Sequence, residues 1–311
     1  MKYVPVSGRE MPRFAGIKTF FRLPHVPIDQ DYDVALVGVP FDGSLSYRPG
    51  ARFAPSRIRE LSSLGRAYHW ERQMNFVDRL KVADIGDCPI VPIDVAKTYK
   101  SIEKYFAKLM NLEKRFISVG GDHSTTLPIL RALKKKYKKP LALVHFDAHL
   151  DTYPAAWGCE YHHGSFLRHA IEEGLVQPKK TFQIGIRGPM AAAEDLEFVN
   201  KKGLQPFTVE NIRSVNIKTI SAKINKMIGN DLCYLTYDID CLDPAYAPGT
   251  GTPVIGGLTT YETQQILRGL KLPGLVGADV VEVSPPYDHS DITSLAAVDA
   301  MFEILHIYAG K

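Results

Sequence analysis

Leu141-Ala-Leu-Val-His-Phe-Asp-Ala-His-Leu-Asp151 opens as an apolar run of strand length and closes on Asp147, His149 and Asp151. A near-continuous apolar strand suits a parallel sheet covered on both faces, where neither side can be polar. Polar residues crowded just past its carboxyl end suit the crevice in which such sheets bind ligands. The pattern recurs along the chain. Strands are predicted at 33–39, 80–85, 115–119, 141–146, 181–186, 232–237 and 276–281. Helix-period segments fall between them, near 54–64, 95–112, 125–136, 164–173, 192–202, 218–228, 260–270 and 293–306. The alternation runs to the C-terminus with no linker, repeat or low-complexity tract. It predicts one α/β domain over 1–311, with a mostly parallel central sheet and helices on both faces. Pro5, Pro12, Pro24 and Pro27 mark about the first 30 residues as an irregular arm.

Composition narrows the class. The chain has 311 residues, 45% of them hydrophobic, enough for a full core. The net charge of +4 is carried partly by lysine runs at 134–136 and 138–139. They follow an apolar-periodic stretch and read as a solvated helix end, where cations are favoured. With no nucleic-acid motif beside them, no nucleic-acid partner is expected. Cys88, Cys159, Cys233 and Cys241 form no CxxC pair and read as free thiols in a reducing compartment. The N-terminus lacks the apolar core of a signal peptide. No apolar run approaches the ~18 residues of a membrane span. A soluble, cytoplasmic protein without a membrane partner is the expectation.

Two further clusters match the first. Ile117-Ser-Val-Gly-Gly-Asp-His-Ser124 and Tyr234-Leu-Thr-Tyr-Asp-Ile-Asp-Cys-Leu-Asp243 also follow apolar strands. Asp147, His149 and Asp151 stand at i, i+2 and i+4, and Asp238 and Asp240 repeat that spacing. Extended backbone would turn each set to one side. With His123, four carboxylates and two imidazoles would meet. So many clustered carboxylates repel one another and resist joint ionisation. Two divalent cations would resolve the conflict, and a carboxylate-rich set with some imidazole suits Mn²⁺. One Asp-x-His or Asp-x-Asp alone is usually a turn, a cap or a surface pair. Three together at strand ends point to metal.

GGDHS, DAHxD and DIDxxDP are ureohydrolase signatures, and this chain resembles the arginase/agmatinase family from Val39-Pro-Phe-Asp-Gly43 to Val280-Val-Glu-Val-Ser-Pro285. The resemblance implies a three-layer α/β/α fold and two Mn²⁺ per subunit. One would take His123, Asp147, Asp151 and Asp238; the other would take Asp147, His149, Asp238 and Asp240. It also implies a homo-oligomer, a trimer or hexamer.

The implied reaction is hydrolysis of a guanidino compound to urea and an amine. Guanidinium carbon is a poor electrophile, so a metal-bridging water acidified toward neutrality would serve as hydroxide nucleophile. Glu282 would accept the guanidinium's paired N–H groups. His163 matches the family's proton-shuttling histidine, and Asp151 would pass on the nucleophile's proton. Asp122 reads as a residue that orients the loop, Asp243-Pro244 as a turn. The segment 152–162, with Gly-Cys-Glu at 158–160, resembles bacterial agmatinases and lacks the Ser-Gly-Asn of arginases. Agmatine is therefore the expected substrate and putrescine the product, a step of polyamine biosynthesis. Glu160 would offer a charge to the terminal ammonium. Arg187 would instead suit 4-guanidinobutyrate or another guanidino acid, the alternative reading. Formiminoglutamase, a mononuclear zinc deacetylase and a non-catalytic relative are the remaining rivals.

Overall fold

The computed structural model describes residues 3–190 and 192–310. The strands are β1 (Val34–Gly38), β2 (Tyr68–His69), β3 (Met74–Asn75), β4 (Val82–Asp87), β5 (Arg115–Val119), β6 (Leu141–Phe146), β7 (Val176–Ile186), β8 (Gln205–Thr208), β9 (Cys233–Asp238) and β10 (Leu275–Val281). Eight of them form one sheet in the order β4-β1-β5-β10-β9-β6-β7-β8, every pairing parallel. β2 and β3 form a separate two-stranded hairpin.

The helices are α1 (Ala54–Leu61), α2 (Val95–Asn111), α3 (Thr126–Tyr137), α4 (Phe166–Glu172), α5 (Ala193–Lys202), α6 (Val209–Arg213), α7 (Ile217–Ile228), α8 (Thr260–Gly269) and α9 (Ile292–Ala309). They cover the sheet in two layers, and the strands show why. In β6, Ala142, Val144 and Phe146 join a core shared with α1, α7, α8 and α9. Leu141 and Leu143 point the other way, into a core shared with α2, α3, α4 and α5. The two-residue period of a strand thus feeds two apolar layers at once.

The structure departs from the sequence reading in several places, three of which bear on the sheet and its layers. β8 was not expected, because Pro206 interrupts it. Pro cannot donate to a ladder, and β8 lies at the sheet edge where none is required on one side. The arm, expected to be irregular, holds a short 3-10 helix at Phe20–Arg22 and packs on the core. Phe20, Phe21, Leu23 and Val26 are buried, and residues 24–26 bond to β4 through Val26 N to Asp84 O and Asp84 N to Pro24 O, both 3.0 Å. Third, α9 is 18 residues long and apolar enough by length and composition to cross a membrane. In this fold 78% of it lies inside the molecule, packed on α1, α8 and β10. All four cysteines are free, as expected.

Candidate active site

Four neighbouring strands, β5, β10, β9 and β6, deliver the polar clusters to one place. His123 follows β5, Glu282 follows β10, Asp238 and Asp240 close β9, and Asp147 to Asp151 follow β6. The turn after β5 needs Gly121: a Cβ there would lie 1.7 Å from the Phe41 carbonyl oxygen. That close approach lets Asp122 N donate to Phe41 O at 2.9 Å and turns His123 inward.

His123 Nδ1 lies 3.1 Å from Asp147 Oδ2, 3.1 Å from Asp151 Oδ2 and 3.0 Å from Asp238 Oδ2. None of these oxygens lines up as a hydrogen bond, and the buried Nδ1 has no such partner. His149 Nδ1 lies 3.0 Å from Asp240 Oδ2 and 3.4 Å from Asp147 Oδ1. A small divalent cation held by oxygen at about 2.1 Å has neighbouring ligand atoms about 3 Å apart in octahedral geometry. The two groups of donors therefore fit two cations, with Asp147 facing both.

Electrostatics agrees. Burial, then Asp240 and Asp147, push the Asp238 carboxyl well above the usual carboxylate range. Burial works against a charged His123 ring, yet the carboxylates of Asp147, Asp151 and Asp238 hold it well above its ordinary value. Negative charge is in excess, and among the described residues the positive partners at hand are imidazoles.

The predicted ligands do meet, but not through extended backbone. β6 ends at Phe146, and Asp151 sits at φ +51°. His149 N donates to Asp147 Oδ1 at 2.6 Å, and Asp240 N donates to Asp238 Oδ1 at 2.8 Å. Bends stabilised by the ligands' own carboxylates gather them. Glu282 also adopts a left-handed φ of +64°, uncommon for a residue with a side chain. Its Oε1 accepts from His123 N at 2.8 Å and lies 3.3 Å from His163 Nδ1. Its Oε2 is buried without a partner. His163 Nε2 is 2.7 Å from Ser46 Oγ. Burial disfavours the charged His163 ring, but Glu282 outweighs it and the pKa stands at about 9. Asp122 does the orienting expected of it, accepting from Ser44 N at 2.9 Å and Ser124 N at 3.0 Å.

Beside these groups opens a cavity of about 430 Å³, lined by His149, Asp151 and His163 at one end and by Tyr153, Trp157 and Asp195 among others. Two sequence expectations fail here. The Arg187 guanidinium does not face the cavity. It donates to the carbonyls of Gly185, Asp240, Cys241, Leu242 and Val254, which leaves nothing for a substrate carboxylate. Glu160 stands exposed on the loop and does not line the cavity. Conversely, sequence reading passed over His145, whose Nε2 is 2.7 Å from Asp147 Oδ2, and Thr236, whose Oγ1 is 2.8 Å from His123 Nε2. His145 alternates with Asp147 and Asp238 with Thr236, a two-residue spacing that could have flagged both.

Comparison with known proteins gives this geometry a family. The chain matches the Arginase family over residues 32–306. A guanidinopropionase of Pseudomonas aeruginosa is 44% identical over 306 residues, covering 98% of this chain and 96% of its own. An agmatinase of Cronobacter sakazakii is 44% identical over 301 residues, covering 94% and 93%. The solved proclavaminate amidino hydrolase of Streptomyces clavuligerus superposes with a TM-score of 0.91 at 41% identity, covering 96% and 99%. The three-layer parallel sheet, the carboxylate-rich cluster at its strand ends and these matches agree: the chain belongs to the arginase family, and is a ureohydrolase.

Proposed function

We propose that the protein hydrolyses agmatine to putrescine and urea at a pair of Mn²⁺ ions held by His123, Asp147, His149, Asp151, Asp238 and Asp240. The observation that carries the metal reading is the buried His123 Nδ1, without a hydrogen-bond partner and ringed by three carboxylate oxygens at 3.0–3.1 Å. When bound, two divalent cations supply a water acidified toward neutrality. The chain's own side chains do the rest. Glu282 Oε2, buried and unpaired, accepts N–H from the guanidinium and fixes its plane. Asp151 is placed to take the nucleophile's proton. His163, bridged between Glu282 and Ser46, donates a proton to the departing amine nitrogen. The products are neutral urea and an alkylammonium, which balances the guanidinium and water consumed.

Agmatine is favoured over a guanidino acid by the lining of the cavity. Among its described residues none is Lys or Arg, while Asp195 contributes a carboxylate. An anionic tail would meet no Lys or Arg there. The second reading, a guanidino acid, is favoured by the guanidinopropionase relative. Assembly into trimers or hexamers in the cytoplasm belongs to the same proposal.

The test is urea release by Mn²⁺-loaded protein, with kcat/KM compared for agmatine, 3-guanidinopropionate, 4-guanidinobutyrate and arginine. Agmatine is expected to lead, and chelation to abolish turnover by at least about 10⁴-fold. A guanidino acid in first place would replace the substrate reading. Turnover that survives complete metal removal would end the metal reading.

A further inference from the structure

The wall of the cavity contains a feature that the reaction at the metal ligands does not explain. Ala156, Trp157, Gly158 and Cys159 form a tight two-residue hairpin, closed by Cys159 N to Ala156 O at 2.8 Å and Ala156 N to Cys159 O at 3.1 Å. Its central residues have φ of +52° and +72°, so both are left-handed, as a type I′ turn demands. Gly158 adopts that geometry freely. Trp157 does not: an aromatic side chain at positive φ is an outlier. The strain does not serve to bury the ring, which is 75% exposed and lies edge-on to the His162 ring, 6.0 Å between centroids. A strained, solvent-facing tryptophan on the rim of a binding cavity is placed for something that arrives from outside.

Asp195 lines the same cavity. It is the third residue of α5, and its Oδ2 accepts from Ala192 N at 3.2 Å. Its Oδ1 has no partner among the described residues. The Tyr153 phenol, pushed up to about 12 chiefly by burial, feels both Asp151 and Asp195. Tyr153 lines the same cavity. One cavity thus joins acceptors for a guanidinium, apolar Pro154, Ala155 and Ala156, the Asp195 carboxylate and the Trp157 indole. An indole face attracts an ammonium through its quadrupole, and a carboxylate with a free oxygen pairs with it.

We propose that Asp195 and the indole face of Trp157 together bind the terminal ammonium of the substrate's alkyl tail and so set the preference for a cationic over a neutral or anionic tail. This rests on the agmatine reading above and adds the residues that make the choice. It assigns the role that sequence alone gave to Glu160 to two side chains that actually line the cavity.

The test uses the full-length Mn²⁺-loaded protein, its Asp195→Asn, Trp157→Leu and Trp157→Phe variants, and three probes: agmatine, n-butylguanidine, which lacks the tail charge, and 4-guanidinobutyrate. Asp195→Asn keeps an acceptor for the Ala192 amide, so the helix start is retained, and a melting curve checks the fold. It is expected to raise KM for agmatine about tenfold while kcat stays within about threefold, and to leave KM for n-butylguanidine unchanged. Trp157→Leu is expected to raise KM for agmatine by about threefold, and Trp157→Phe to recover most of that. Equal changes for agmatine and n-butylguanidine in folded variants, or no change for either, overturn the assignment. If the unmodified protein prefers 4-guanidinobutyrate to agmatine, the substrate reading and this assignment both fall. If it prefers agmatine and Asp195→Asn keeps that preference, only the assignment falls.

Discussion

Two clusters of buried carboxylate and imidazole lie at different places in this molecule, and they are built on opposite principles. In one, on α9, Glu303 is fully buried and receives Arg268 Nε at 2.7 Å, with His69 Nε2 at 3.1 Å and 3.2 Å from its two oxygens. Its charge is answered by a cation of the chain itself. In the other, at the ends of β5, β6 and β9, Asp147, Asp151, Asp238 and Asp240 face only His123, His145 and His149. No Lys or Arg reaches them among the described residues. Residue type does not separate the two clusters. What separates them is whether the chain supplies the balancing charge. A cluster that supplies it is structural; one that withholds it is shaped for something from outside.

The largest effect should come from breaking the self-sufficient cluster. Arg268→Leu leaves Glu303 buried without its cation and is expected to destabilise the protein by about 3–5 kcal/mol. Mn²⁺ stoichiometry should be unchanged. A melting curve and a metal assay check both, and a variant that loses metal without losing stability would blur the contrast. A smaller effect is expected at the site. In chelated protein the His163 pKa is raised to about 9 from its ordinary 6.5, so its contribution is fully present below about pH 6.5 and is lost as pH rises through about 9. It amounts to roughly 3 kcal/mol, and His163→Asn should flatten the pH dependence of metal-free stability across that window. A curve as steep as the parent's would contradict this. The smallest effect has the opposite sign to the first. Asp238→Asn in metal-free protein removes a carboxylate that burial, Asp240 and Asp147 already push toward the neutral form. It should stabilise the metal-free protein by about 1 kcal/mol while weakening metal binding. A lower melting temperature without metal would count against the unmet-charge account.

Much of this was legible in the chain. Apolar runs ended by acidic and imidazole residues mark the strands and their carboxyl ends, because both the buried sheet and the crevice at its rim constrain residue type locally. What sequence obscured was tertiary. β8 hides behind Pro206, tolerated only because nothing pairs on its outer side. α6 is five residues long, too short to show a helical period. Asp147, His149 and Asp151 were expected to align along a strand, whereas bends bring them together. Arg187 looked like a ligand for a carboxylate by charge alone, yet its donors are taken by five carbonyls from β7, the β9 turn and the 254 loop. Glu160 is near the site in sequence and faces away from it in space. Asp195, more than thirty residues after His163 in the chain, reaches the cavity only because α5 starts at its mouth.

The sheet's two margins have a consequence for assembly. A parallel sheet with bare margins can recruit a second copy by adding strands edge to edge. Here one margin, β4, already has the Asp84 N–H and carbonyl taken by Pro24 and Val26. The other, β8, is four residues long with a proline that cannot donate. At β4 an added strand would first have to displace that segment, and at β8 it would find a short ladder with one donor missing. Copies of this chain that associate through helices and loops would leave the strand ends that carry the carboxylates undisturbed.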